Sequence, residues 1–334
     1  MAGQGIRRFL SAATLALCCF FAAPALAQAP EGSPVAVHGQ LSVRGNQIVD
    51  QNGAPVTLRG MSLFWSQWMP QYYNADAVRW LRDDWNVSVV RAAIAVPAGG
   101  YLQNPERETA KAEAVIDAAI ALGIYVIVDW HAHDPAPEAA ARFFDHIAER
   151  YGNTPNVIYE TWNEPLPRYN WATDIKPYHE ALIPHIRAHD PDNIIIAGTG
   201  SWSQDVEIAA ADPLAFSNVG YALHFYAGTH RQSLRDKAQR ALDLGAALMV
   251  TEWGTAESNG DGPLDQAEIQ RWWDFMEANH ISYANWSIAD KSESTAALRP
   301  GAEGNGGWPD DMISPSGLLV RAHIRGLNGA YAGH

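Results

Sequence analysis

Residues 157–165 read VIYETWNEP. The stretch opens as an apolar run suited to a buried strand and closes on Asn163, Glu164 and Pro165. An amide and a carboxylate back to back are costly in an apolar core, so a strand that carries them must deliver them somewhere useful. The first half of the pattern recurs along the chain. Short β-branched or apolar runs stand at 56–61, 87–94, 123–131, 156–164, 193–198, 218–226, 246–254 and 281–287. Helix-like segments separate them, among them 77–85, 111–123, 140–152 and 268–280. Gly123 and Gly152 stand where helix C-terminal caps favour glycine. Eight strands alternating with helices over about 250 residues predict an α/β fold, with a parallel sheet closed as a single (β/α)8 TIM barrel. A doubly wound open sheet is the competing arrangement, but no GxGxxG or phosphate-binding glycine loop follows the first strand. Ahead of the barrel, turn signals at 44–47 and at Asn52-Gly53 predict a small N-terminal β-hairpin.

In such a barrel the C-terminal ends of the strands share one face, and chemistry is carried there. Those ends are rich in polar and aromatic side chains: Arg91, then Asp129-Trp130-His131, Asn163-Glu164, His224-Phe225-Tyr226, Glu252-Trp253 and Trp286. Glu164 closes the fourth strand and Glu252 the seventh. Glycoside hydrolysis needs one carboxyl group to protonate the leaving oxygen and a second at the anomeric carbon. Their separation decides between retention and inversion, and it is not written in the sequence. Either glutamate alone is equally an ordinary strand-end acid. The pair, together with Arg91, Asn163, His224, Tyr226 and Trp286, points to sugar chemistry.

Composition agrees. Hydrophobic residues make up 47% of the chain and charged residues 18%, as in a packed globular protein rather than a disordered one. Thirteen tryptophans exceed what a core needs and suit clefts that bind the flat faces of sugars; Trp80, Trp85, Trp272 and Trp273, on helices, are expected in the core. Residues 1–27 predict a secretory signal peptide, from the basic Arg7-Arg8, the apolar run 9–22 and the small-residue cleavage signal Ala25-Leu26-Ala27. That run is short for a membrane span. Cys18 and Cys19 lie within it, so the remainder has neither disulfides nor thiolate metal sites. The net charge is −14, and losing Arg7 and Arg8 takes it to −16. Such a surface disfavours nucleic acid and anionic membrane as partners. Residues 28–38, rich in Pro, Ala and Gly, are expected to form a short linker, and 39–334 the catalytic domain.

Taken in order, Arg91 in VVRAAI, His131 in DWH, Asn163-Glu164 in WNEP, His224 and Tyr226 in HFY, Glu252 in TEWG and Trp286 in NWS resemble the invariant set of glycoside hydrolase family 5. The stretches LRGMSLFWSQW (58–68), VRWLRDDWNVSVVRAA (78–93), GTGSWSQDV (198–206) and IADKSESTAAL (288–298) look like its subfamily 2, the bacterial endo-β-1,4-glucanases. The resemblance runs from roughly residue 38 to 325. It implies a secreted, cofactor-free, retaining cellulase working by double displacement. Glu164 would be the general acid and then base, and Glu252 the nucleophile. Arg91 and Tyr226 would hold Glu252 in its charged form, and Asn163 would bond the sugar 2-hydroxyl. His131 and His224 would line the −1 subsite above the Trp286 platform. Trp68 would stack at −2, Trp202 at +1, and Lys291 and Glu293 would meet the −2 and −3 sugars. The implied partner is a β-1,4-glucan polysaccharide or oligosaccharide, bound by a monomer with no membrane contact once the leader is removed. Delivery would be to the periplasm or the extracellular space. No HExxH and no ligand cluster suggests a metal.

Two departures bear on substrate preference at the non-reducing side. Phe64 stands where a histidine is expected, and Ala95 where a larger aromatic is expected. Sister activities on the same barrel, β-mannanase or mixed-linkage glucanase, share the catalytic set. A glycan-binding protein without turnover is the alternative of another class, and the presence of both glutamates argues against it.

Overall fold

The computed structural model describes residues 1–2, 29–329 and 331. Apart from its first two residues, the signal peptide expected over 1–27 lies outside the described residues. The predicted hairpin is formed by β1 (Ser42–Arg44) and β2 (Gln47–Val49), paired antiparallel and turned at Gly45 with a positive φ of 59°. Eight parallel strands follow: β3 (Arg59–Leu63), β4 (Val89–Ala95), β5 (Tyr125–His131), β6 (Val157–Glu160), β7 (Ile195–Ala197), β8 (Val219–Tyr226), β9 (Leu248–Gly254) and β10 (Ser282–Ile288). Each pairs with its neighbours in sequence, and β10 returns to β3 to close the (β/α)8 barrel.

The boundaries move for physical reasons. The first barrel strand starts at Arg59 rather than 56, because the amide of Val56 donates to the carbonyl of Ile48, 3.0 Å away, and so belongs to the hairpin end. The fourth strand stops at Glu160, yet Asn163 and Glu164 still donate their backbone N–H groups to Trp130 and Ala132, at 3.1 and 3.2 Å. β5 therefore carries the two functional residues past the end of the sheet. The helices at Pro105–Leu122 and Pro137–Tyr151 begin earlier than expected, each with proline in its first turn, where the missing N–H costs nothing. Part of the expected linker is locally ordered. Pro34–His38 is a helical turn capped by Ser33, and Val35 is buried.

Side chains alternate along each strand, so the barrel has two apolar regions. The outward residues, among them Val90, Val126, Val128, Trp130, Tyr159, Leu223, Phe225 and Trp253, pack under the helices. Trp85, Trp272 and Trp273 join that layer as expected, while Trp80 is only partly buried. The inward residues Leu58, Val89, Tyr125, Ile127, Ile158, Ile194, Ile196, Ala222, Met249 and Ala284 fill the lower barrel. Val35, Leu41, Ile48 and Val56 close it from below.

One step of two residues up each inward column changes the chemistry. Val89 gives way to Arg91, Ile127 to Asp129 and His131, and Ile158 to Glu160. Ala222 gives way to His224 and Tyr226, and Ala284 to Trp286. Between β8 and β9 the register shifts, and His224 faces Glu252. An offset of this kind re-aims a side chain, and here both Thr251 and Glu252 reach the site. Among the described residues no helix is long and apolar enough to cross a membrane.

Candidate active site

Arg91 is completely buried on β4 and organises the floor of the site. Its guanidinium lies 2.9 Å from Asp129, 2.7 Å from Glu160 and 3.0 Å from Glu252. It also donates to Asn163 Oδ1 at 2.6 Å, which fixes the amide with its oxygen turned down and away from the cleft. Three carboxylates facing one guanidinium cannot all carry full charge without cost. Burial works against Glu160, but Arg91 and His224 outweigh it and hold that carboxyl at about 2. Asp129 moves the other way. Burial, opposed by Arg91 but joined by the charges of Glu160 and Glu252, pushes it well above the carboxylate range. His131, 2.6 Å from Asp129, is driven well below its ordinary value by burial and by Arg91.

Above this floor sit the two candidate catalytic groups. Glu252 accepts from Arg91 at 3.0 Å and from the Tyr226 hydroxyl at 2.7 Å. Glu164 accepts at Oε1 from His224 Nδ1, 3.0 Å away. His224 is locked from behind: Nε2 bonds Thr251 Oγ1 at 2.8 Å, and that hydroxyl donates on to Glu160 at 2.7 Å. Burial opposes a charge on His224, but its bonds to Glu160 and Glu164 raise it to about 9. Burial likewise opposes Glu164, yet His133 and His224 hold it at about 2. Burial and the charge on Glu164 push Glu252 up, against His224, Arg91 and Tyr226. In the free site Glu164 is thus held ionised, between two imidazoles.

Glu164, His224 and Glu252 each place one donor atom within 4.8 Å of the others, a spacing that could surround a cation. The chemistry of the set is against it. His224 bonds through both ring nitrogens, one of them to a carboxylate that favours imidazolium, which has no lone pair to offer. Arg91 already neutralises Glu252.

Aromatic rings shape the cleft. Trp286 is nearly buried, lies parallel to His131 at 5.2 Å between ring centres and touches Phe64 at 5.1 Å. Its peptide bond to Ser287 is cis. Trp68 and Trp202, by contrast, are 57% and 43% exposed, and each presents its ring to the cleft. Ser201, Trp202 and Ser203 all have φ between 54° and 57°, a left-handed run that costs free energy and is held partly by a bond from Trp202 N–H to Pro165. Lys291 pairs with Glu293 and sits 4.7 Å from the centre of the Phe64 ring.

Two cavities make one cleft. One of about 260 Å³ is lined by Phe64, Trp68, His131, Asn163, Glu252, Trp286, Lys291 and Glu293. The other, about 530 Å³, is lined by Trp202, Gln204, His224, Thr229 and His230. His133, Glu164, Tyr226 and Ser258 line both. The twelve residues singled out in the sequence are thus gathered here, with Arg91 beneath the floor. Glu160, Thr251 and His133 were missed. Glu160 was legible as the next inward position after Ile158, and His133 as the next after His131. Thr251 had no such signal, since its position depends on the β8–β9 register shift.

The barrel and the paired carboxylates define a glycoside hydrolase. The chain belongs to the cellulases of glycosyl hydrolase family 5, whose profile matches residues 49–292. It is 49% identical over 303 residues to an endoglucanase of Clostridium saccharobutylicum, covering 89% of this chain and 68% of that one. A solved structure from Cytophaga hutchinsonii shares 54% identity, with a TM-score of 0.88 over 89% of this chain and 98% of that one. An endoglucanase catalytic domain from Thermobifida fusca in complex with cellotetraose shares 36% identity, with a TM-score of 0.84 over 88% of this chain and 99% of that one.

Proposed function

We propose that the protein is a secreted, monomeric endo-β-1,4-glucanase that cleaves internal bonds of β-1,4-glucan with retention. The observation that carries the stereochemistry is the approach of Glu164 and Glu252, with an oxygen of each within 4.8 Å. Retaining glycosidases hold their carboxyl groups about 5 Å apart, whereas inverting ones leave roughly 6.5–9.5 Å for water. Endo action is supported by a cleft that continues on both sides of Glu164, with an exposed tryptophan toward each end.

In this reading Glu252 attacks the anomeric carbon while Glu164 gives its proton to the departing oxygen. The leaving chain departs with that proton, and the sugar remains as an ester of Glu252. Water then attacks the same carbon, Glu164 takes its proton, and Glu252 is released. The first step needs Glu164 protonated and Glu252 ionised, whereas in the free site His133 and His224 hold Glu164 as the anion. His224 supplies the means. Its Nδ1 proton lies one hydrogen bond from Glu164, and transfer leaves the net charge of the site unchanged. Once Glu164 is neutral, its repulsion of Glu252 is gone, and Arg91 and Tyr226 hold Glu252 as the anion. Asn163, with its oxygen tied to Arg91, presents its amide N–H groups for the 2-hydroxyl. Trp286 supports the −1 sugar, Trp68 and the pair of Lys291 and Glu293 the glycone side, and Trp202 the leaving side. Export rests on the leader at 1–27.

The test is viscosity loss and reducing-end release on carboxymethyl cellulose by the chain from Gln28, beside its Glu252→Gln variant. A fast fall in viscosity in the first, absent in the second, supports internal cleavage through Glu252. Inactivity in both, with mannan or lichenan cleaved instead, moves the assignment to a sister activity. Binding without turnover on every glucan reduces it to a glycan-binding protein.

A further inference from the structure

Glu164 has two oxygens, and each meets a different imidazole. Oε1 is held by His224, which is almost completely buried and locked by Thr251. Oε2 lies 3.2 Å from Nε2 of His133, whose side chain is 42% exposed. His133 follows β5 two residues after His131, and its ring stands edge-on to Trp65 at 5.6 Å. It lines both cavities, at the point where the scissile bond must cross Glu164.

We infer that His133 is a positioning residue for the acid/base carboxyl: it holds the outer oxygen of Glu164 and extends activity toward acid pH. The inference rests on the reading of Glu164 as acid/base.

The two imidazoles differ in access. His224 is sealed, whereas His133 meets solvent and follows bulk pH. The charged groups around His133 are few. Glu164 at 3.2 Å and Glu252 beyond it favour its charged form, and His224 opposes it. His131 feels its charge from two residues back. Asp134, the next residue, is engaged by Arg168 and Tyr169. The contact with Glu164 raises His133 above the ordinary histidine value despite partial burial. His133 is therefore a cation through the acid range. A cation at that point lowers the proton affinity of Glu252 and Glu164 alike. Removing it lets Glu252 protonate at a higher pH, so activity fails sooner on acidification. Above its own pKa His133 is neutral, and the alkaline limb moves less.

The experiment is the pH profile of kcat/KM on cellotetraose for the wild type, His133→Asn, His133→Gln and His133→Lys. Asn and Gln keep a donor without a charge, whereas Lys keeps the charge. The acid limb of the Asn and Gln variants should move up by about one pH unit, a shift typical of losing one partly screened charge. The Lys variant should return it to the wild-type position. A uniform loss of rate with an unshifted acid limb, or a Lys variant shifted as far as Asn, overturns the inference. Glu164→Gln, measured alongside, separates the two readings. Wild-type kcat/KM in that variant removes the acid/base assignment and the inference with it. Inactivity there, together with an unshifted His133→Asn profile, removes the His133 inference alone.

Discussion

Arg91 shows how much of this site hangs on one side chain. Its planar fork reaches Asp129, Glu160, Asn163 and Glu252 together. A lysine ammonium has the charge but not the geometry for four partners. Arg91→Lys should therefore lose about 3–5 kcal/mol of stability, the usual result of leaving buried charges unpaired. Its kcat on carboxymethyl cellulose should also fall about 100-fold or more, since Glu252 loses a preorganised donor. Thermal melts and initial rates check the two parts separately. Tyr226→Phe removes only the 2.7 Å bond to Glu252. It should cost roughly tenfold in kcat, the effect of about 1.4 kcal/mol in the barrier, with an unchanged melt. Residues such as Arg91, Glu164 and Glu252 were legible because charged groups at strand ends stand out against apolar runs. Glu160 was hidden by its place inside a run, where only the period of two reveals that it points into the barrel.

At the level of elements, the strands were legible and their edges were not. Apolar runs mark where a strand lies, but the stop of β6 at Glu160 and the register shift beside β9 depend on neighbouring strands. Residues 34–38 look like linker by composition. They become structure because the barrel has an open lower end that an apolar residue must cover. Leu41, nearly buried in that floor, tests the point. Leu41→Ala should destabilise by about 2–4 kcal/mol through lost burial and a cavity. Because the floor lies at the far end of the strands from Glu252, kcat/KM below the melting transition should stay at the wild-type value. Denaturant titration and steady-state rates on the same preparation decide this.

For the whole molecule, buried ionisable groups set where the fold is most stable. Glu160 is depressed to about 2, so its contribution is present above the ordinary carboxylate value of 4.5 and is lost as pH falls toward 2. His224 is raised to about 9, so its contribution is complete below 6.5 and is lost as pH rises through 9. His179, buried and lowered to about 4, adds stability above 6.5 that is lost as pH falls toward 4. The melting temperature should peak near pH 6.5 and decline on both sides, on the acid side first as His179 takes up its proton toward 4 and then as Glu160 does so toward 2. Calorimetry between pH 3 and 10 checks the shape, and a maximum displaced above pH 8 would contradict it.

The unequal halves of the cleft also bear on reagent design. The half under Trp202, proposed for the leaving chain, offers about 530 Å³, and the half above Trp286, proposed for the glycone, about 260 Å³. A chromophore or fluorophore is far bulkier than a hydroxyl and needs the roomier half. A reporter substrate for this enzyme should therefore carry its dye at the reducing end and leave the non-reducing sugar bare. If Glu252 is the nucleophile as proposed, a mechanism-based label should carry its affinity tag on a slender tether that leaves past Trp68.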